Sequence, residues 1–189
     1  MENSNLSILD NEELLCLTRW QLDQGQFGEA LISVKHAFQR EEKSIECYRL
    51  GAKIYAQLGL HEHAKKAFES FLEHEPEAMV EEFQYGMVHY DSGDNEKALD
   101  IWSDILGKEA TYPPALFYSA LARANTNETA RAIEHLNALI KSAPADNLYF
   151  ERGRELIRAI EQNETGTIGN EEKKPSLEKY STDDDRTIN

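Results

Sequence analysis

Residues Tyr48 to Pro76 read YRLGAKIYAQLGLHEHAKKAFESFLEHEP. Apolar residues recur here at spacings of three and four, the signature of an amphipathic helix. Gly59 interrupts the pattern midway and Pro76 ends it. Proline lacks an amide donor and disfavours helical geometry in its predecessor, so the stretch predicts two helices joined by a tight turn at Gly59. The same spelling returns along the chain. Ala30, Ala64, Ala98 and Ala132 are each 34 residues apart, and five residues before each stands Gly25, Gly59, Gly93 or Asn127. Glycine and asparagine are the residue types that tolerate a left-handed turn.

The register extends to packing positions. Twelve residues before each alanine come Thr18, Ala52, Gly86 and Ala120, all small. Four after each come Val34, Phe68, Trp102 and Leu136, and seven after come Ala37, Phe71, Ile105 and Leu139. Small residues let helix axes approach, and large apolar ones on the same face fill the groove between them. The spacing therefore predicts helix pairs near 11–24 with 27–40, 45–58 with 61–74, 79–92 with 95–108, and 113–126 with 129–142.

This pattern resembles the tetratricopeptide repeat, a 34-residue helix–turn–helix unit. The resemblance covers residues 11 to about 144 and is strongest in the second unit, through Tyr48, Ala52, Tyr55, Gly59, Ala64, Phe68 and Pro76. The first and third units depart from it with Glu42 and Ala110 at the final proline, and the third has Glu82 where a large apolar residue is usual. Gln21, His89 and Arg123 take the place of Tyr55 in the other units. The resemblance implies an all-α fold, a right-handed superhelical stack of antiparallel helix pairs. The expected organisation is an N-terminal extension over 1–10, a repeat domain over 11–162 with units near 11–44, 45–78, 79–112 and 113–146, a capping helix over 147–162, and a disordered polar tail over 163–189. The capping helix is expected because NLYFERGRELIRAIEQ is amphipathic, and a stack exposes the apolar side of its last pair. Gly153 inside it reads as a cost to the helix or as a point of close packing. The tail holds only Ile168, Leu177, Tyr180 and Ile188 as apolar residues large enough to join a core, too few to offset the entropy of ordering it.

Composition narrows the function classes. The chain of 189 residues has 20 Lys and Arg against 35 Asp and Glu, a formal charge of −15. Phosphate backbones are bound by neutralising them with Lys and Arg, and no stretch here is densely basic, so no nucleic-acid partner is expected. Direct membrane insertion is not expected either, because the apolar runs are too short and the start, MENSNLSILDNEELL, does not read as a signal peptide. A cytoplasmic protein is the expectation. Cys16 and Cys47 suit neither a disulfide framework nor a metal-ligand spacing and read as ordinary thiols.

No catalytic constellation emerges. His61 and His63 are the only close histidine pair, with no third ligand nearby, and read as surface residues. His36, His74, His89 and His135 stand singly, outside any HExxH or GxSxG pattern. Carboxylate pairs such as Glu81 and Glu82 read as a solvated face. The repeat turns account for Gly25, Gly59 and Gly93, so no phosphate loop is inferred. The expectation is a protein that is not an enzyme and needs no cofactor or metal.

In the repeat family the first helix of each pair lines a concave groove. That implies a groove presenting Arg19, then Arg49 and Lys53, then Phe83, Met87 and Tyr90, then Phe117 and Leu121. The alternative is that Phe83 and Phe117 simply pack against neighbouring helices. Arg49 and Lys53 are like charges one turn apart, a pairing that stability alone does not favour, although Glu46 is placed to satisfy one of them. Some members of the family grip the carboxylate end of heat-shock chaperones with Lys, Asn and Arg. This chain has Leu15, Arg19, Leu50, Val80 and Gln84 at those places, and a shift of one unit gives Arg49, Lys53, Gln84, Pro114 and Tyr118, only a partial imitation.

The leading expectation is a non-catalytic scaffold or adaptor holding a peptide or helical segment of a partner protein in the groove. A secretion or assembly chaperone shielding an apolar client segment is the second reading, and a self-associating subunit, a homo-oligomer, is the third. Asp183, Asp184 and Asp185 in the tail suggest a contact with Arg49 and Lys53.

Overall fold

The computed structural model describes residues 6–41 and 43–164. The tail beyond Glu164, with Asp183, Asp184 and Asp185, lies outside the described residues, as do residues 1–5 and Glu42. Among the described residues there are helices and no strands. After a single 3-10 turn at Leu6–Ile8, the helices are α1 (Asn11–Asp23), α2 (Phe27–Phe38), α3 (Ile45–Gln57), α4 (His61–Leu72), α5 (Met79–Asp91), α6 (Asn95–Lys108), α7 (Pro113–Asn125), α8 (Thr129–Ser142) and α9 (Leu148–Glu164). The fold is an all-α helical repeat.

Each turn between paired helices is made by the residue the register points to. Gly25, Gly59 and Gly93 have φ of 69°, 68° and 87°, and Asn127, the only described non-glycine residue with positive φ, has 63°. Every small residue of the register is buried: Ala30, Ala64, Ala98 and Ala132, with Thr18, Ala52, Gly86 and Ala120 on the partner helices. Thr18 is polar, and its hydroxyl donates to the Leu14 carbonyl at 2.7 Å, so its burial leaves no donor unpaired. Where the second unit has Tyr55 against His63, with ring centroids 5.1 Å apart, the first has Gln21 accepting from the Ser33 hydroxyl at 2.8 Å. The fourth has Arg123 bonded to Glu128 at 2.8 Å. These polar replacements still tie the two helices, or the turn between them, together.

The chain divides into two compact units, one up to Ser92 and one from Gly93. In the first, α1 packs on α2, α2 on α3, α3 on α4 and α4 on α5. One apolar cluster joins Leu14, Val34, Ala37, Leu50 and Ile54, with Leu6 and Leu9 of the N-terminal segment against it. A second joins Ala52, Tyr55, Ala64, Phe68 and Val88. Asp10 starts α1 with a capping box: its side chain accepts from the Glu13 amide, and the Glu13 carboxylate accepts from the Asp10 amide, both at 2.9 Å.

In the second unit α6 packs on α7, α7 on α8, and α9 on both α7 and α8. Its core holds Trp102, Phe117, Tyr118, Leu136, Leu139 and Leu156, all fully buried. Gly153 of α9 marks a close approach, since a Cβ there would lie 3.1 Å from Leu139 Cδ2. Packing explains that glycine better than helix propensity does.

Candidate functional site

The charged side chains of the first helices form one ladder in the first unit. Arg19 on α1 reaches Glu46 at the start of α3, Nη2 to Oε1, at 2.8 Å. Glu46 is also gripped from its own helix by Arg49, through Nε to Oε2 and Nη2 to Oε1, both at 2.7 Å. The remaining nitrogen, Nη1 of Arg49, lies 3.5 Å from Oε1 of Glu81 on α5, and Nζ of Lys53 lies 3.6 Å from the same oxygen. The ladder therefore runs Arg19, Glu46, Arg49, Glu81, Lys53 across α1, α3 and α5, with three cations and two anions. It has a surplus of one positive charge within a chain whose overall charge is −15.

Exposure falls along the ladder. The side chain of Arg19 is 51% exposed, that of Arg49 32% and that of Lys53 21%. Burial by itself would raise the Glu46 carboxyl, but hydrogen bonds and charge attraction from Arg49 and Arg19 outweigh it and hold the group below the usual glutamate range. The same bond to Glu46 pushes Arg49 up. Lys53 goes the other way. Burial pulls its ammonium down, and Glu81 offsets only part of that.

Glu81 corrects the sequence reading. Expected on a solvated face beside Glu82, it is instead 8% exposed and bridges two cations. The signal for it lies in the offsets. Arg19 and Glu46 are 27 residues apart, and Lys53 and Glu81 are 28, so a side chain on one first helix meets an acid about one unit further on. Next to Glu81, one turn along α5, stands Gln84, 6% exposed, with neither Nε2 nor Oε1 hydrogen-bonded.

The apolar members of the expected set are placed differently from the cations. Phe83 on α5 and Phe117 and Leu121 on α7 are fully buried, and Met87 is 7% exposed. Phe117 packs edge-on to Tyr118 at 5.3 Å and beside Tyr149 at 5.6 Å. This burial matches the alternative in which these side chains pack within the helical array, and it leaves them next to no surface for a ligand. Tyr90, at the end of α5, is half-buried. Phe83, Met87 and Tyr90 stand in the first compact unit, Phe117 and Leu121 in the second.

Two of the remaining polar candidates, His74 and Cys47, make their contacts within the helical array. His74 stacks on Tyr48 with centroids 6.4 Å apart, and its Nδ1 is 2.8 Å from the Ser70 carbonyl. Among the described residues, no three His, Cys, Asp or Glu side chains gather as a metal site. Cys47 is fully buried, and desolvation pushes its thiol up to about 11, so it stays protonated and unreactive near neutrality.

Models of the tetratricopeptide repeat match residues 46–77 and residues 114–146. None of the curated proteins compared matches the chain. Among solved structures, the chain is similar to a thermophilic TPR protein of Thermus thermophilus, TTC0263, at 21% identity and a TM-score of 0.64, over 79% of this chain and 82% of that one. It is similar to MamA at 19% identity and a TM-score of 0.67, over 79% and 84%. YrrB, described as a TPR protein with an unusual peptide-binding site, matches at 16% identity and a TM-score of 0.63, over 89% and 82%. With the repeat register, the four left-handed turns and these matches agreeing, the chain carries tetratricopeptide repeats and has the fold of tetratricopeptide repeat proteins.

Proposed function

We propose that this chain is a non-catalytic interaction module that holds a segment of a partner protein against its first helices, as a scaffold or adaptor. The observation that carries the reading is the ladder on α1, α3 and α5. It places three cations and a half-buried polar surface on the helices that the repeat family uses for binding, in a chain that is acidic elsewhere. The peptide-binding description of YrrB supports the same class of role for a chain of this fold. An acidic or mixed-charge peptide suits a surface with one surplus positive charge. The acidity of the whole chain supports a protein partner over nucleic acid. It also suits a soluble cytoplasmic setting, which belongs to this reading. The chaperone alternative draws on small size, acidity and an apolar patch at Phe83, Met87, Tyr90 and Phe117; the burial of Phe83, Met87 and Phe117 favours the scaffold reading over it.

The test is affinity purification from the native cell with the intact chain and with an Arg49→Glu, Lys53→Glu version whose melting temperature has been checked. A partner recovered by the intact chain and lost by the folded variant is the expected result. Equal recovery by both overturns the assignment of the binding surface to the ladder.

A further inference from the structure

The two acids of the ladder are held in different ways. Glu46 receives bonds of 2.7 to 2.8 Å from Arg49 and Arg19, the lengths of fully formed charge-assisted hydrogen bonds. Glu81 receives only long contacts, 3.5 Å from Arg49 Nη1 and 3.6 Å from Lys53 Nζ. At that length a hydrogen bond contributes little, and charge attraction is the main contribution left. Glu81 thus neutralises two cations without engaging their donors well. Gln84 adds a second, independent observation. It stands three residues along α5 from Glu81, so the two side chains are neighbours on one face, and it is buried with both polar atoms of its amide unpaired. A buried unpaired amide needs a physical reason, and a ligand that supplies polar atoms is one.

We propose that Glu81 is a built-in competitor for acidic ligands: a carboxylate side chain of a bound peptide replaces it at Arg49 Nη1 and Lys53 Nζ, and the peptide completes the Gln84 amide. The inference rests on the reading of the first helices as a peptide-binding surface. Glu46 is the fixed anion, which keeps Arg49 oriented during the exchange. Glu81 is the displaceable one, and turning its side chain toward solvent releases two donors at once. Neutral peptides gain nothing from the exchange, so the device selects for acidic partners while preventing the cations from attracting any stray anion.

The probe is a short peptide alternating Glu and Ala, with the same peptide carrying Gln for Glu as control. Each is titrated into the full chain and followed through backbone and side-chain 15N signals. The acidic peptide is expected to bind saturably, to move the Gln84 side-chain amide signal, and to bind Glu81→Gln about fivefold more tightly, the upper range for one partly exposed ion pair. Lys53→Gln and Gln84→Ala are expected to weaken it, and the control peptide to respond to none of these changes. Should Glu81→Gln fail to fold, Glu81→Asp keeps the charge but shortens its reach, and tightening is again expected. Acidic-peptide binding that is unchanged or weaker in a folded Glu81 variant overturns the competitor role alone. Failure of both peptides to bind any variant overturns the peptide-surface reading with it.

Discussion

Arg49 and Glu46 meet side-on, one turn apart on α3, through two bonds of 2.7 Å. Planar fork to planar carboxylate is the strongest arrangement open to such a pair, because both donors point along acceptor lone pairs. Arg19 adds a third bond from α1, so Glu46 is the joint between two repeat units. The acid–base chemistry of one residue therefore bears on how successive first helices are held.

Removing that carboxylate takes the acidic partner from Arg19 and leaves Arg49 with only its long contact to Glu81. Glu46→Gln is expected to cost about 1–2 kcal/mol at neutral pH, as for loss of a partly buried charge-assisted bond. The pH dependence follows from the depressed pKa of Glu46. A carboxyl whose folded value lies below its unfolded value contributes stability above the unfolded value, and that contribution is lost as pH falls through the folded one. The gap between wild type and Glu46→Gln should thus be full at pH 7 and shrink below the ordinary glutamate range. Urea melts at the two ends of that window check it, and a gap that stays constant into acid would refute the assignment.

The two cysteines should separate cleanly in a thiol-labelling experiment. Cys16 is exposed, whereas Cys47 is fully buried with its thiol pushed up to about 11. One equivalent of an aromatic disulfide reagent is expected to react with the native chain at neutral pH, at Cys16, and a second only on unfolding. Mass spectrometry of the labelled peptides locates the site. Fast native labelling of Cys47 would mean that the α2–α3 core opens far more readily than its packing implies.

Phe117 distinguishes a core side chain from a ligand contact. It is fully buried beside Tyr118 and Tyr149 in the second unit. Phe117→Ala is expected to cost about 3–5 kcal/mol through lost burial and the cavity left behind. In a chain of this size each kcal/mol moves the melting temperature by about 2–4 °C, so the drop should be easily measured. A melting temperature within a degree of wild type would instead point to a surface role.

How much of this could be read from the sequence depends on how local the cause is. The left-handed turns are legible because only a few residue types adopt positive φ, and the buried alanines because close helix crossings demand small side chains at a fixed period. The cations of the ladder are legible as residues out of place. Their counter-ion Glu81 is not, because it stands 32 residues from Arg49, next to another glutamate, and looks like one more surface acid. The placement of Phe83 and Phe117 is open in the sequence for a related reason: the first helix of each pair has more than one face, and the sequence marks apolar residues on it without saying which face each one takes.

Gly51 is a further residue that periodicity passes over, since the register assigns the small position to its neighbour Ala52. A Cβ at Gly51 would lie 2.7 Å from Cζ and 2.8 Å from Cε2 of Phe38, the residue that closes α2. Two effects compete in Gly51→Ala. Helix propensity favours alanine by about 1 kcal/mol in the middle of α3. Against it, the Phe38 ring must move, and it is itself partly buried against both apolar clusters of the first unit and set 5.6 Å from the Tyr48 ring, so displacement by overpacking costs about 1–3 kcal/mol. The clash should prevail, giving a net loss of about 1 kcal/mol. In a Phe38→Leu background the obstruction is gone and the same substitution should be neutral or stabilising. The coupling from that double-mutant cycle, measured by denaturant melts, is the deciding quantity. A coupling near zero would show that the ring moves aside freely and that Gly51 is not required for the α2–α3 contact.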